Sequence, residues 1–484
     1  MTTQALSTKE KSFKILDSLS VSVKVRENSF DLPLEAVFSM AARNNPKRSY
    51  LFVSKLIGKH IPVYPSTPFA AGFILASGLA QALGLPVAKH LISEAVDMLV
   101  SNRMGKPSAS KQSCSHAARP GELGASLEER ILKLPCSDVL SKFNRVYHLP
   151  GRALFVGFAE TATALGHAVF SCFAGEHRYL HTTRENLAGS FDTLYFTEEH
   201  CHAPEQRCLI SDIDLVKDNE VLVLIDDEVT SGNTCLDIIK TVHGKYPQPK
   251  YVVLTILDWR NDKALQKYSR AEQELGTRIQ VLALMRGRFE SKGTSPVLNN
   301  SLAFIDGANY SAEAVHMLRL PMTATVNVRA ADAGGGKARY LGYTGRFGLD
   351  GRQNNRLHDE ARVLGQRLAR RREGNKTLCL GTGEFMYLPF LVAGFMGEGV
   401  WVQSTTRSPV HPHLREDYGV KYAITFEDPM RSGVPNFVYN IPPHTYDEVF
   451  VFWERKVLPG QVVPLVRALR QAGIPNITFV YFCD

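Results

Sequence analysis

With 484 residues, 44% of them hydrophobic and 21% charged, the chain is long enough for two or three domains, and its composition excludes a disordered or fibrous protein. The net charge of +8 is modest for this length and spread along it, which suits anionic small ligands and does not mark a nucleic-acid-binding surface. Eight cysteines (114, 136, 172, 201, 208, 235, 379 and 483) include no C-x-x-C pair and read as free thiols in a reducing compartment.

Residues 1–16 are polar and lysine-containing, without the apolar core of a signal peptide, so the expected location is the cytoplasm. Residues 1–30 read as a loose lead-in to a first domain over 31–300. A basic turn, Asn45-Pro-Lys-Arg48, precedes a short strand, and Lys55, Lys59 and His60 follow it. On spacing alone, basic residues beside a strand are more often a solvated edge than a substrate contact. The longest apolar segment, 69–85, is short for a membrane span and carries Gln81 and several small residues, which predicts a buried helix. Residues 101–126 are rich in Ser, Gly, Lys and Pro without periodicity and read as a surface insertion.

Leu154 to Val156 is strand-like, Phe158, Ala159, Glu160 and Thr161 form a turn, and Leu165, Ala168, Val169 and Cys172 give the following helix an apolar face. A polar interval then carries Arg184, His200, His202 and Arg207. Histidines two apart on an extended segment are half of a metal site, and without further ligands at matching spacing none is expected there. Substrate contact, proton transfer and a plain polar loop remain open for them.

The most informative stretch is 220–234. Val221 to Ile225 is a continuous run of Val, Leu and Ile, the pattern of a strand buried on both faces of a parallel sheet. It runs into Asp226 and Asp227, then into Thr230, Ser231, Gly232, Asn233 and Thr234, and then into a helix with Leu236, Ile238, Ile239 and Val242 on one face. A helix N-terminus offers unpaired N–H groups and a positive dipole end, and hydroxyls add donors, so this loop suits a phosphate. Paired carboxylates suit vicinal ribose hydroxyls or a magnesium ion. A phosphate and a diol one sugar apart describe a ribose 5-phosphate.

A further buried strand over 250–258 ends beside Trp259, which either stacks on a planar ring or packs in the core. Residues 286–300 break the pattern, and the glycine-rich run 331–338 reads as flexible, which places a linker at 301–340. Beyond it, strands at 376–380, 400–403, 420–426, 436–441, 448–454 and 476–482, interleaved with helices, predict a second α/β domain over 341–484 with a mostly parallel sheet. Two of its loops follow strands. Gly381 and Gly383 flank a turn able to hold an anion, and Thr406, Arg407 and Ser408 gather hydroxyls around a guanidinium; for both, a plain polar loop is the competing reading.

The 220–234 stretch closely resembles the 5-phosphoribosyl-1-pyrophosphate (PRPP) motif of type I phosphoribosyltransferases. The resemblance implies a parallel sheet with flanking helices. It also implies ribose contacts from Asp226 and Asp227 with Mg2+ held indirectly, a 5-phosphate wrapped by Thr230 to Thr234, and a pyrophosphate loop at Phe158 to Thr161. In that family a mobile segment between the two loops carries a cation for the leaving pyrophosphate, here Arg184 or Arg207, and an N-terminal segment covers the substrate, here Lys55, Lys59 and His60. The strand end that carries Trp259 would lie near the base or co-substrate pocket. The pyrophosphate loop lacks its usual second glycine, and Glu160 is unexpected beside an anion; a magnesium ligand, a contact to a basic part of the co-substrate and a helix cap all stay open for it. Purine-salvage members usually carry an acid where Thr230 stands, which argues against a purine acceptor.

Thr406-Arg407-Ser408-Pro409 matches the motif that names the TRSP domain, which follows a PRPP-type domain in bacterial proteins encoded beside tellurite-resistance genes. The expectation is therefore a cytoplasmic two-domain enzyme, a homodimer by kinship, that uses PRPP and Mg2+ to make a nucleotide-like metabolite, with neither a nucleic-acid nor a membrane partner. Two rival readings are a PRPP- or nucleotide-sensing regulator without turnover, and cleavage of an existing N-glycosidic bond by the same site run backwards.

Overall fold

The structure, a computed structural model, describes residues 10–43, 45, 48–101, 136–197, 205–294, 304–306, 315–331, 335–431 and 433–484. The expected insertion at 101–126, apart from Ser101, and the histidines at 200 and 202 lie outside the described residues.

Five parallel strands form the centre of the first domain, in the order Arg278–Gly293, Lys250–Asp258, Val221–Val229, Ala153–Gly157, His177–His181. Val, Leu and Ile dominate the middle three, and both faces are covered by helices, as the uninterrupted apolar runs require. In chain order the strands run outward from Ala153–Gly157 to one side and then from Val221–Val229 to the other. The strand order therefore reverses between these two, which opens a crevice at their carboxyl ends where α/β sheets bind ligands. The apolar segment near 69–85 is the helix Ser66–Ala82, buried along most of its length against the helix Thr163–Ser171. Among the described residues no helix is long and apolar enough to cross a membrane.

The lead-in is structured where it is described. Glu10–Leu16 and Leu19–Glu27 form an antiparallel hairpin that extends the main sheet by pairing with the far half of Arg278–Gly293. Leu19, Val21, Val23 and Val25 are buried while the residues between them are not, a period-two pattern masked by the polar composition around it. The same pairing explains why 286–293, which breaks the helical and buried-strand patterns, is nonetheless strand.

The second domain has a five-stranded, fully parallel sheet in the order His316–Arg319, Asn476–Cys483, Glu448–Arg455, Thr377–Gly381, Val400–Ser404. Its order also reverses, between Thr377–Gly381 and Glu448–Arg455. The strands Ala423–Glu427 and Pro435–Tyr439 do not join it; they form a separate three-stranded sheet with Phe304–Asp306. The expected linker is partly structure: His316–Arg319 is a strand of this sheet, and Thr325–Ala330 and Lys337–Leu341 pair antiparallel.

The domains share cores rather than touching at a hinge. Phe69, Ala164 and Ala168 of the first pack with Phe390, Leu391 and Val402 of the second. Val410, Tyr418 and Tyr439 belong to the first domain's core. Val63 and Val402 exchange backbone hydrogen bonds at 3.0 and 2.8 Å, and Ser404 N donates to Gly58 O at 2.9 Å. This docking turns the carboxyl ends of the two parallel sheets toward each other.

Candidate active site

Strand Val221–Val229 outruns its neighbour. Its pairing with Ala153–Gly157 stops at Ile225, whereas its pairing with Lys250–Asp258 continues to Val229. Asp226 and Asp227 begin where the neighbour ends, so their half-buried side chains face an open crevice instead of a strand. The Asp226 carboxylate accepts from Asp227 N at 2.9 Å, and Asp227 accepts from Thr161 Oγ1 at 2.8 Å, which ties the acid pair to the facing loop.

After the acids the chain turns through Gly232, whose φ of 69° is left-handed and which precedes the helix Asn233–Lys245. Tyr268 packs beneath this turn, its hydroxyl donating to Gly232 O at 3.0 Å; a Cβ at this glycine would stand 2.6 Å from the same hydroxyl. Thr230, Ser231, Asn233 and Thr234 are half-buried around the turn, and Thr234 lines the cavity. The loop is thus held from below by a rigid ring, with its N–H groups at the start of a thirteen-residue helix.

The cavity above these elements has a volume of about 440 Å³. Its walls include Asp226, Asp227, Phe158, Ala159, Glu160, Thr161 and Arg184 from the first domain, joined by Thr406, Arg407 and Ser408 from the second. Residues from the acidic strand end, the facing loop and the polar interval are therefore brought to one place, together with the TRSP run, whose Thr406 lies 246 residues from Glu160 in sequence. Arg43, Arg48, Phe52 and His60 close one side, and Phe437 adds an aromatic wall from the second domain. Arg43 and Glu228 carry no signal as site residues in the sequence, and Arg48 stands there only as the end of a basic turn. Arg48 bonds Glu228 at 2.6 Å, a nearly buried pair in which burial raises the Glu228 carboxyl against the pull of Arg48.

Glu160 finds a protein partner. Its carboxylate pairs with Lys59 Nζ at 3.2 Å and accepts from Thr406 Oγ1 at 3.1 Å. Lys59 is fully buried and also donates to Gly383 O at 2.8 Å; burial pushes its ammonium below the usual range, with Glu160 pulling the other way. His60 beside it is pushed down to about 3, by burial first and by Lys59 and Arg43 next, so it stands neutral at physiological pH.

The Gly381–Gly383 turn is not arranged as an anion cradle. Gly383 N donates to Thr405 Oγ1 at 2.9 Å, and its carbonyl accepts from Lys59 and from Ser404 Oγ, so the turn presents an acceptor to a cation. A strand-to-turn glycine motif looks the same in sequence whichever backbone group faces inward. Next to it, Glu384 accepts from Thr183 Oγ1 at 2.5 Å and from Arg184 N at 3.2 Å, and pairs with Arg346 at 3.1 Å. Burial alone would raise the Glu384 carboxyl, but Arg346 and its other partners hold it below the usual range. The backbone of Arg184 is thereby fixed by the second domain.

Two candidates lie elsewhere. Trp259 is 3% exposed and packs against Phe38, Phe52 and Phe289, so it supports the cavity wall from behind Phe52 and does not line the cavity. Its position at a strand end is set by core packing. Lys55 donates to Glu35 O at 2.8 Å on the outer surface, since it leaves the Tyr50–Ser54 strand on the side away from the crevice lining.

As for magnesium, the acid pair offers oxygen donors of the kind the ion prefers. Among the described residues there is no cluster of three or more His, Cys, Asp or Glu able to cage a metal. That donor set fits an ion carried mainly by a phosphorylated ligand and its waters rather than by protein.

Comparison with known families gives the chain two matches: the family described as "Phosphoribosyl transferase" over residues 37–288 and the "TRSP domain C terminus to PRTase_2" over 343–469. No curated protein matches. Among solved structures, an adenine phosphoribosyltransferase from Trypanosoma brucei, in complex with AMP, pyrophosphate and ribose-5-phosphate, is 15% identical with a TM-score of 0.22, over 32% of this chain and 64% of that one. The adenine phosphoribosyltransferase from Rhodothermus marinus is 14% identical with a TM-score of 0.21, over 33% of this chain and 80% of its own. That from Leishmania donovani is 15% identical with a TM-score of 0.21, over 33% and 65%. The chain thus spans less than two thirds of the length of the Trypanosoma and Leishmania enzymes. The first family match covers more than half of the chain, and the chain belongs to the phosphoribosyl transferase family, with a TRSP domain at its C-terminal side.

Proposed function

We propose that this member of the phosphoribosyl transferase family transfers the 5-phosphoribosyl group of PRPP to a nitrogen or other nucleophile, with release of pyrophosphate. The observation that carries the reading is the single cavity at the switch point of the first sheet, where the acid pair, the phosphate loop and the facing 158–161 loop converge. In this reading Asp226 and Asp227 hold the ribose hydroxyls, residues 230–234 hold the 5-phosphate, and the 158–161 loop with Arg184 faces the pyrophosphate. When bound with PRPP, Mg2+ would spread the charge that builds on the departing pyrophosphate.

The transition state of such a transfer is oxocarbenium-like, so the protein's part is positioning and charge placement. Glu160 does not oppose the pyrophosphate, because Lys59 neutralises it. The acceptor enters between Arg43, Arg48 and Phe52 on one side and Phe437 on the other. A cytoplasmic location, a homodimeric state and a place in the synthesis of a nucleotide-like metabolite linked to tellurite or stress resistance belong to the same proposal, and rest on kinship to two-domain proteins of this kind.

The test is calorimetric titration of PRPP with magnesium into the wild type and into Asp226→Asn/Asp227→Asn. Micromolar binding by the wild type and at least a hundredfold loss in the variant support the reading, and acceptors can then be screened by pyrophosphate release. A folded wild type that binds no PRPP would sink it.

A further inference from the structure

A second crevice lies at the switch point of the second sheet and adjoins the first cavity. Thr382, Gly383 and Glu384 follow one of the two strands at which the order reverses, and Trp453, Glu454 and Arg455 end the other. Its volume is about 80 Å³ against about 440 Å³ for the larger cavity, which suits one small group rather than a nucleotide. Glu160, Arg184 and Arg407 line both this crevice and the larger cavity, so a molecule could occupy the two together.

The charges of the crevice fall into two layers. On the floor they are matched internally: Arg346 is buried and bonds Glu384 at 3.1 Å and Glu454 at 2.6 Å. At the rim the acids are already served by neutral donors. Glu185 accepts from Tyr340 Oη at 2.6 Å, and Asp428 from Met430 N at 2.9 Å and Asn436 Nδ2 at 3.0 Å. The rim arginines reach those acids only loosely, Arg431 to Glu185 at 3.7 Å and Arg407 to Asp428 at 3.9 Å, beyond hydrogen-bond range. Their planar donor forks are therefore held in place near carboxylates without being consumed by them, a geometry that suits capture of a carboxylate or phosphate.

We propose that this crevice is a second ligand site, and that it takes an anionic group, carboxylate or phosphate, of the acceptor whose nucleophile enters the ribose cavity. The assignment of the anion to an acceptor rests on the transferase reading; the anion site itself does not.

Calorimetric titration of inorganic phosphate, and separately of succinate, into the full chain tests it, with and without saturating Mg-PRPP. The PRPP-saturated wild type should still bind one of the two anions, and Arg431→Gln should weaken that binding at least tenfold while changing PRPP affinity less than twofold. Arg431→Lys, which keeps the charge and loses the fork, should recover part of it. Preference for phosphate identifies a phosphorylated acceptor, and preference for succinate a carboxylated one. Absence of anion binding in the PRPP-saturated wild type, or equal affinity in Arg431→Gln, overturns the site. A wild type that fails to bind PRPP overturns the transferase reading instead, and the comparison of wild type with Arg431→Gln in the absence of PRPP then decides the crevice by itself.

Discussion

Replacing Lys59 by Met tests whether the 158–161 loop is held by charge. The Lys59 side chain is fully buried and Glu160 nearly so, with 3.2 Å between them. At that separation, with an effective dielectric constant of about 20, the attraction is on the order of 5 kcal/mol. Methionine fills the space of the lysine stem but leaves the carboxylate with the Thr406 hydroxyl and removes one donor from Gly383 O, which keeps Ser404 Oγ. Removing one partner of a buried pair costs about 3–5 kcal/mol, because the other charge stays behind without its counterion. Glu160→Gln in the same chain removes that stranded charge while keeping an acceptor for Thr406, so the double variant should recover about 2–3 kcal/mol of the loss. Urea unfolding of the wild type, both single variants and the double variant, followed by circular dichroism, gives the cycle. A cost below about 1 kcal/mol for Lys59→Met, or a double variant no more stable than Lys59→Met, would refute the idea that a buried ion pair organises this loop.

Stability should fall steeply on mild acidification. His60, His177, His181 and His358 are pushed by burial to about 3 or 4 and His167 well below its ordinary value, so the unfolded chain takes up protons below pH 6.5 that the folded chain does not. Each contributes stability that is complete above pH 6.5 and is lost as pH falls toward its folded value, about 1.4 kcal/mol one unit below 6.5, or roughly 7 kcal/mol for the five at pH 5.5. A urea midpoint that stays flat from pH 7.5 to 5.5 would contradict this. In the 230–234 turn, Gly232→Ala should cost about 1–2 kcal/mol of stability, because alanine is strained at a φ of 69° and its Cβ meets the Tyr268 hydroxyl. The same variant should lower PRPP affinity at least tenfold by shifting the loop, as calorimetry would read.

What the sequence disclosed was local. The 220–234 stretch announces itself because a buried strand, an acid pair, a small-residue turn and a helix start succeed one another within a few residues, and each has its own compositional reason. The apolar segment 69–85 as a buried helix and four of the five strands of the second sheet were legible on the same terms; the fifth, His316–Arg319, lay in the stretch read as a linker. The hairpin at 10–27 was not, although Val21, Val23 and Val25 alternate with polar residues; the burial of one face depends on a partner strand more than 250 residues later. Glu160 was opaque for a similar reason. Nothing near it in sequence neutralises it, since its partners are Lys59 and Thr406, the latter 246 residues away. Trp259 shows the reverse case, where a residue type that suits a ring-stacking role is placed by three phenylalanines in the core.

The docking of the domains explains features that neither domain explains alone. On the proposed reading the 158–161 loop faces an anion and would ordinarily avoid a carboxylate, yet Glu160 becomes tolerable because Lys59 neutralises it and Thr406 fixes its orientation. Arg184 itself stands in neither a strand nor a helix, yet its backbone is anchored by Glu384 from the second domain. Glu384 in turn keeps its charge because Arg346 is buried beside it and shared with Glu454. The chain of dependence runs from the floor of the second sheet, through Glu384 and Thr406, to the two loops that face the ribose cavity. A second domain attached only by a tether would leave both loops without these partners, so the shared cores and the shared charges serve the same end: they hold the two switch points at one fixed spacing.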